Sequence, residues 1–177
     1  MKKGFTLIEL LLTVSIFSIV VTAFLGLFSS AFKYQQKNLV SAYLLNTASY
    51  TSEYITRALR MAKKELNDPP ICLSLRGLNY EITQGGEGIK FLNSDGECQE
   101  FFLENQMVKV TKNAETLPLT PSNLIVERLK FEVIGENQSD FKQPKVTFVL
   151  KLTSSQDPSQ SLDLQTTVSQ RDLDVPK

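Results

Sequence analysis

From Phe5 to Phe32 the chain is mostly apolar, and Glu9 is the single charge before Lys33. A helix needs roughly 20 mostly apolar residues to cross a hydrocarbon core of about 30 Å, so this run predicts a membrane-spanning helix. Lys2 and Lys3 stand just before it, and the positive-inside rule leaves that short end in the cytoplasm and sends the remainder outward. Residues 31–66, which lack proline and glycine, predict a continuation of the same helix. Val40, Leu44, Ala48, Thr51, Ile55, Leu59, Ala62 and Leu66 advance by threes and fours along one face, and only Thr51 is polar. Tyr43, Thr47, Tyr50, Tyr54 and Ala58 widen that face. Arg57, Arg60, Lys63 and Lys64 lie near the carboxyl end, where cations favour the helix dipole.

Asn67-Asp68-Pro69-Pro70 stops the helix, because proline donates no hydrogen bond and restricts the residue before it. The pattern then alternates. Short strands are predicted at residues 71–75, 78–83, 89–92, 100–103 and 107–111, separated by Gly85-Gly86-Glu87-Gly88, Asn93-Ser94-Asp95-Gly96 and Glu104-Asn105-Gln106. Asp95-Gly96 suits a tight turn with positive φ. The proline-marked stretch 117–121 reads as a connection to three longer strands at 124–134, 145–153 and 161–169. In these, Leu129, Phe131 and Val133, then Val146, Phe148, Leu150 and Leu152, then Leu162, Leu164 and Val168 alternate with polar residues. One buried face and one wet face predict an antiparallel sheet covered by the helix stripe, an α+β fold.

Glu9 is out of place in a simple anchor, because a charge at the centre of a membrane helix costs about 2.5–3.5 kcal/mol and persists mainly where it has a partner or a task. The order Lys2-Lys3-Gly4-Phe5-Thr6-Leu7-Ile8-Glu9-Leu10 resembles the class III signal of type IV pilins and pseudopilins. The resemblance implies that a prepilin peptidase cuts after Gly4 and methylates the new amino terminus at Phe5. It also implies that Glu9 neutralises the amino-terminal charge of a neighbouring subunit when helices bundle into a filament. A generic signal anchor would explain the hydrophobicity and the two lysines, but neither Gly4 nor Glu9. A conventional secretory signal would be cut at Val21-Thr22-Ala23, yet Glu9 interrupts its apolar core and hydrophobicity continues through Phe24, Leu25, Leu27 and Phe28. Gly26, the only glycine between Gly4 and Gly77, makes local unwinding cheaper by about 1 kcal/mol. Pilins often carry a proline near this point, where their helix loosens on assembly.

The resemblance divides the chain into a leader (1–4), a transmembrane assembly helix (5–30), an amphipathic continuation (31–66) and a β-rich extracytoplasmic head (67–177). Within the family the second half is most similar to J-type minor pseudopilins and W-like minor pilins. The points of likeness are the helix end at Arg57 to Arg60, the run Leu129-Lys130-Phe131-Glu132-Val133, and Leu164-Gln165-Thr166-Thr167-Val168-Ser169-Gln170-Arg171.

Composition narrows the chemistry. Nineteen Lys and Arg balance nineteen Asp and Glu, and loss of Lys2 and Lys3 turns the chain slightly negative, which gives no electrostatic reason to expect nucleic acid as a partner. With no histidine, Ser-His-Asp and Cys-His catalytic sets and His-containing zinc motifs are unavailable. No enzyme and no cofactor are expected. Cys72 and Cys98, the only cysteines, lie outside the cytoplasm in this reading, where a disulfide is favoured over two buried thiols. Asn93, Asp95, Glu97 and Glu100 put several oxygen ligands in one loop, but the full calcium-loop spacing is absent and an ordinary polar turn is expected, with no metal. Gly85 to Gly88 lacks the context of a phosphate loop, and Asn137-Gln138-Ser139 fits the short glycan acceptor pattern.

Two functions follow. The first is a minor pilin or pseudopilin, held in the bacterial inner membrane with its head outside and incorporated near the tip of a type IV pilus or type II secretion pseudopilus. Its partners would be prepilin peptidase, other pilins and the assembly platform. The second is a binding module, either an adhesin or a DNA-uptake pseudopilin, or a merely anchored or secreted domain; a DNA site would need a basic patch of which only Arg57, Arg60, Lys63 and Lys64 give a hint.

Overall fold

The computed structural model describes residues 4–135 and 142–172. Lys2, Lys3, the Asn137-Gln138-Ser139 pattern and the last five residues of the tail lie outside the described residues. The chain divides into two compact units, Met1–Val40 and Ser41–Lys177. One helix, α1, runs Leu7–Arg60. It is followed by eight strands: β1 Glu81–Thr83, β2 Gly88–Leu92, β3 Cys98–Glu104, β4 Met107–Lys112, β5 Glu115–Pro118, β6 Leu124–Ile134, β7 Lys145–Ser154 and β8 Ser161–Ser169. The fold is α+β, the pilin-like arrangement of one long amino-terminal helix and antiparallel sheets.

In the first unit the helix exposes its apolar side chains along its length, Phe17, Ile19, Phe24 and Leu27 among them. Most of its serine and threonine hydroxyls are satisfied within the helix. Ser15, Ser18, Thr22 and Ser30 each donate to the carbonyl four residues back at 2.8–3.0 Å, and Thr13 to the carbonyl of Leu10. An apolar medium therefore meets no unpaired hydroxyl at these positions.

In the second unit Leu44, Ala48, Thr51, Ile55, Leu59 and Ala62 are buried, which is the middle of the expected stripe. The Tyr54 ring meets Phe101 edge-on at 6.0 Å, and the Tyr43 hydroxyl donates to Asn123 Oδ1 at 3.0 Å. The strands form two meanders rather than one sheet, β1-β2-β3-β4-β5 and β6-β7-β8, every pairing antiparallel. The break falls after Pro118, where the N–H groups of Leu119 and Thr120 turn back to the carbonyl of Val108. Val146, Phe148, Leu150 and Leu152 on β7 are fully buried, with Phe131 5.9 Å from Phe148 across the β6–β7 pair, as alternation predicts.

Four local expectations are corrected. The helix ends at Arg60, not Leu66, although residues 61–66 contain no helix breaker. Lys63 N–H donates to Leu92 on β2 at 2.8 Å and Glu65 N–H to Leu78 before β1 at 2.9 Å, so bonds to distant backbone replace helical ones. Tyr80 Oη closes the end by donating to the Leu59 carbonyl at 2.7 Å, and Leu66, expected in the stripe, is exposed. Residues 71–75 form no strand, because side chains take the donors a ladder would use: Ile71 and Cys72 N–H go to Glu65 Oε2 and Ser74 N–H to Glu81 Oε2. From the expected strand 78–83, only Glu81–Thr83 pairs. Finally, β5 occupies part of the expected connection, entered through Asn113 and Ala114, both at positive φ.

Glu65 is the polar centre of the helix exit. It has no exposed surface, and its carboxylate accepts from Asn67 N and Nδ2, Ile71 N and Cys72 N at 2.8–3.3 Å. Burial, the largest single influence, pushes its pKa up. The Asn67 side chain and the N–H groups of Cys72, Asn67 and Leu73 together outweigh it and hold the carboxyl below its ordinary 4.5. A depressed folded-state pKa gives stability that is complete above the unfolded value and is lost as pH falls through the lower folded one.

Glu65→Gln should therefore destabilise the full chain in detergent by about 2–3 kcal/mol at neutral pH, and should lessen the further loss below about pH 4.5, read by denaturant unfolding across pH. Thr51 presents the opposite case, a fully buried hydroxyl with no hydrogen-bond partner among the described residues. Thr51→Val should stabilise by about 1 kcal/mol in the same measurement.

Candidate functional site

The residues singled out for processing and assembly lie together at the start of α1. Leu7 is the first helical residue; Gly4, Phe5 and Thr6 precede the helix, and Phe5 is 85 % exposed. Gly4 has no neighbour within 4 Å of where a side chain would begin, so the Gly4–Phe5 bond is open to solvent on that side.

Glu9 has a partner that sequence reasoning missed. Its Oε2 accepts from the Thr6 N–H at 3.0 Å and from Thr6 Oγ1 at 2.9 Å, while the Glu9 N–H points back to Thr6 Oγ1 at 3.4 Å. Thr6 is the N-cap and Glu9 the third helical residue, so the pair forms a reciprocal capping box that satisfies donors otherwise orphaned at a helix start. The signal was in the sequence as Thr6-Leu7-Ile8-Glu9, an acidic residue three after a threonine. Leu10 N–H then donates to the Thr6 carbonyl at 3.3 Å, the first turn of the helix proper. Glu9 also sits where a negative charge favours the helix dipole. Only one of its carboxylate oxygens takes part in the box.

Gly26 lies within the unbroken helix, its carbonyl taking the Ser30 hydroxyl, and a side chain there would touch nothing within 4 Å. Cys72 and Cys98 form a disulfide with Cα atoms 5.1 Å apart, which ties the loop after α1 to the start of β3. The bridge lies within the second unit.

The oxygen-rich loop does not gather its four candidate ligands. Asn93 Oδ1 accepts from the N–H groups of Asp95 and Glu97 at 2.9 and 3.0 Å, a side-chain-supported turn with Gly96 at positive φ. The carboxylates of Asp95 and Glu97 both reach Lys112 Nζ at 3.1 Å, so an ammonium stands between them. Glu100 instead takes the Thr83 hydroxyl at 2.6 Å. Hydrogen bonds from Asn113 and then Lys112 hold the Glu97 carboxyl below the usual range. Of the basic residues at the helix end, Arg57 is paired with Glu53 at 3.2 Å.

The family described as prokaryotic N-terminal methylation motif matches residues 1–25, the stretch that contains Gly4, Phe5, Thr6 and Glu9. No curated protein and no solved structure matches the chain. The match supports a class III signal of the type IV pilin kind, which implies processing by a prepilin peptidase and assembly with other pilins. The helix that carries it is long and apolar enough to cross a membrane, in keeping with an inner-membrane anchor and a head outside.

Proposed function

We propose that this chain is a minor pilin or pseudopilin, a structural subunit that is cut after Gly4, methylated at Phe5 and incorporated near the tip of a type IV pilus or type II secretion pseudopilus. The observation that carries the reading is the coincidence of the methylation motif with the helix start: the bond to be cut lies just outside α1, and the one acidic residue of the apolar stretch lies in its first turn. Cleavage removes Lys2 and Lys3 and leaves a cationic amine on Phe5. Two changes then favour bundling. The apolar helix can leave the bilayer for a filament core of like helices, and the free oxygen of Glu9 can take a neighbour's amine. Gly26 provides a point where the helix can loosen as it packs.

The role is structural rather than catalytic. With no histidine and with its acidic loop engaged by Lys112, the head is read as a surface for neighbouring subunits, and the runs at residues 129–133 and 164–171 resemble those of J-type or W-like minor subunits. The DNA-binding alternative draws less support, since basic and acidic residues balance along the chain.

Glu9→Ala should leave membrane insertion intact and reduce incorporation at least tenfold, scored on the processed chain in sheared filaments by immunoblot. Incorporation at the wild-type level would count heavily against a pairing role for Glu9.

A further inference from the structure

The apolar run of α1 ends on two cations. Lys33 and Lys37 are the only charged residues between Glu9 and Glu53, and neither enters an ion pair among the described residues. They stand one turn apart on the helix. With Tyr34 between them and Ser30 below, they line one shallow concavity of its surface. The Ser30 hydroxyl is already taken by the Gly26 carbonyl, so the polar groups free to act there are the two ammonium groups and the exposed Tyr34 hydroxyl. Like charges four residues apart on a helix repel, and lysines at the outward end of a span run against the positive-inside rule. An anion from outside the chain relieves both.

Height identifies that anion. From Glu9 to Lys33 the helix rises about 36 Å at 1.5 Å per residue. With Glu9 at one boundary of a hydrocarbon core of about 30 Å, where a carboxylate costs least, the Lys33 backbone stands about 6 Å past the other boundary, in the headgroup layer. Lys37 is one turn higher, but side chains on a helix lean toward its amino terminus, so the long stem brings its ammonium back to the level of Lys33. Tyrosine favours the same layer, with its ring at the apolar border and its hydroxyl in water. The anions held at this height are lipid phosphates.

We propose that Lys33, Tyr34 and Lys37 form a clamp for the phosphate of an anionic phospholipid in the leaflet where the span ends, both ammonium groups meeting phosphate oxygens and the tyrosine hydroxyl donating beside them. The inference rests on the membrane-anchor reading, which the methylation motif and the length of the apolar helix support. A zwitterionic lipid brings its own cation to the phosphate, so the clamp favours a headgroup without one, such as phosphatidylglycerol. A free phosphate ion lacks the acyl chains that keep the headgroup at this level.

The test places the full chain in nanodiscs of phosphatidylcholine with a minority of phosphatidylglycerol and counts, by native mass spectrometry, the lipids retained after release. Wild type should retain phosphatidylglycerol above its share of the bilayer. The double variant Lys33→Gln, Lys37→Gln should retain about fivefold less of it, the factor that one lysine at an anionic membrane surface carries, at unchanged insertion scored by resistance to alkaline extraction. Lys33→Arg with Lys37→Arg keeps the charge and should keep the enrichment. Equal retention by wild type and the glutamine variant would overturn the proposal, as would an arginine variant no better than the glutamine one. Equal retention combined with lost filament incorporation in the glutamine variant would assign the pair to an acidic group on a neighbouring subunit instead. A wild-type chain that alkali extracts would remove the anchor reading, and the clamp with it.

Discussion

A carboxylate inside an apolar helix has to be satisfied by something other than water, and much of this chain's amino-terminal design follows from that requirement. Glu9 meets it within its own first turn, where Thr6 supplies both a backbone and a side-chain donor. The solution fixes more than the charge. It sets where α1 begins, keeps Gly4 and Phe5 out of the helix, and leaves one carboxylate oxygen outside the box. The rest of the span carries no further charge, and most of its serines and threonines fold back on backbone carbonyls.

The head solves a related problem at the other end of α1. Once the helix stops, its last carbonyls need donors, and they come from distant parts of the chain: Tyr80 to Leu59 and Arg171 N–H to Arg60, with the Gln170 side chain reaching Ala62 just beyond the end. Glu65 gathers the donors of the following loop, and the Cys72–Cys98 bridge fastens that loop to β3. A buried carboxylate with several hydrogen bonds is well suited to fixing an irregular loop, because removing any donor leaves an uncompensated charge. Loop and sheet are thus fixed against the carboxyl end of α1.

Much of this was legible in the residues. The stripe from Leu44 to Ala62 and the alternation of the three long strands are direct consequences of burial on one face, and each is found at the register the pattern implies. What escaped has a common cause. The helix end at Arg60 depends on carbonyls of Leu78 and Leu92, and the irregular course of residues 71–75 depends on the side chains of Glu65 and Glu81. No local propensity encodes such partners. The turn at Asn113 and Ala114 adopts positive φ without a glycine to announce it, which concealed β5. Of the candidate site, Gly4, Phe5 and Glu9 stand out by type and spacing, while the Thr6 cap is masked by the apolar run in which it stands. The disulfide was expected from compartment, and the pairing of Leu92 with Cys98 places the second sulfur within reach of the first.

The central claim is that this apolar helix becomes a filament element through processing at its first residues, and the mature amino terminus tests it most directly. The full chain would be expressed with a prepilin peptidase and analysed by intact mass and terminal peptide sequencing. A chain that begins at a methylated Phe5 is the predicted result. A chain that begins at Phe24, or retains Met1, would contradict it and leave an anchored or secreted domain in place of an assembly subunit.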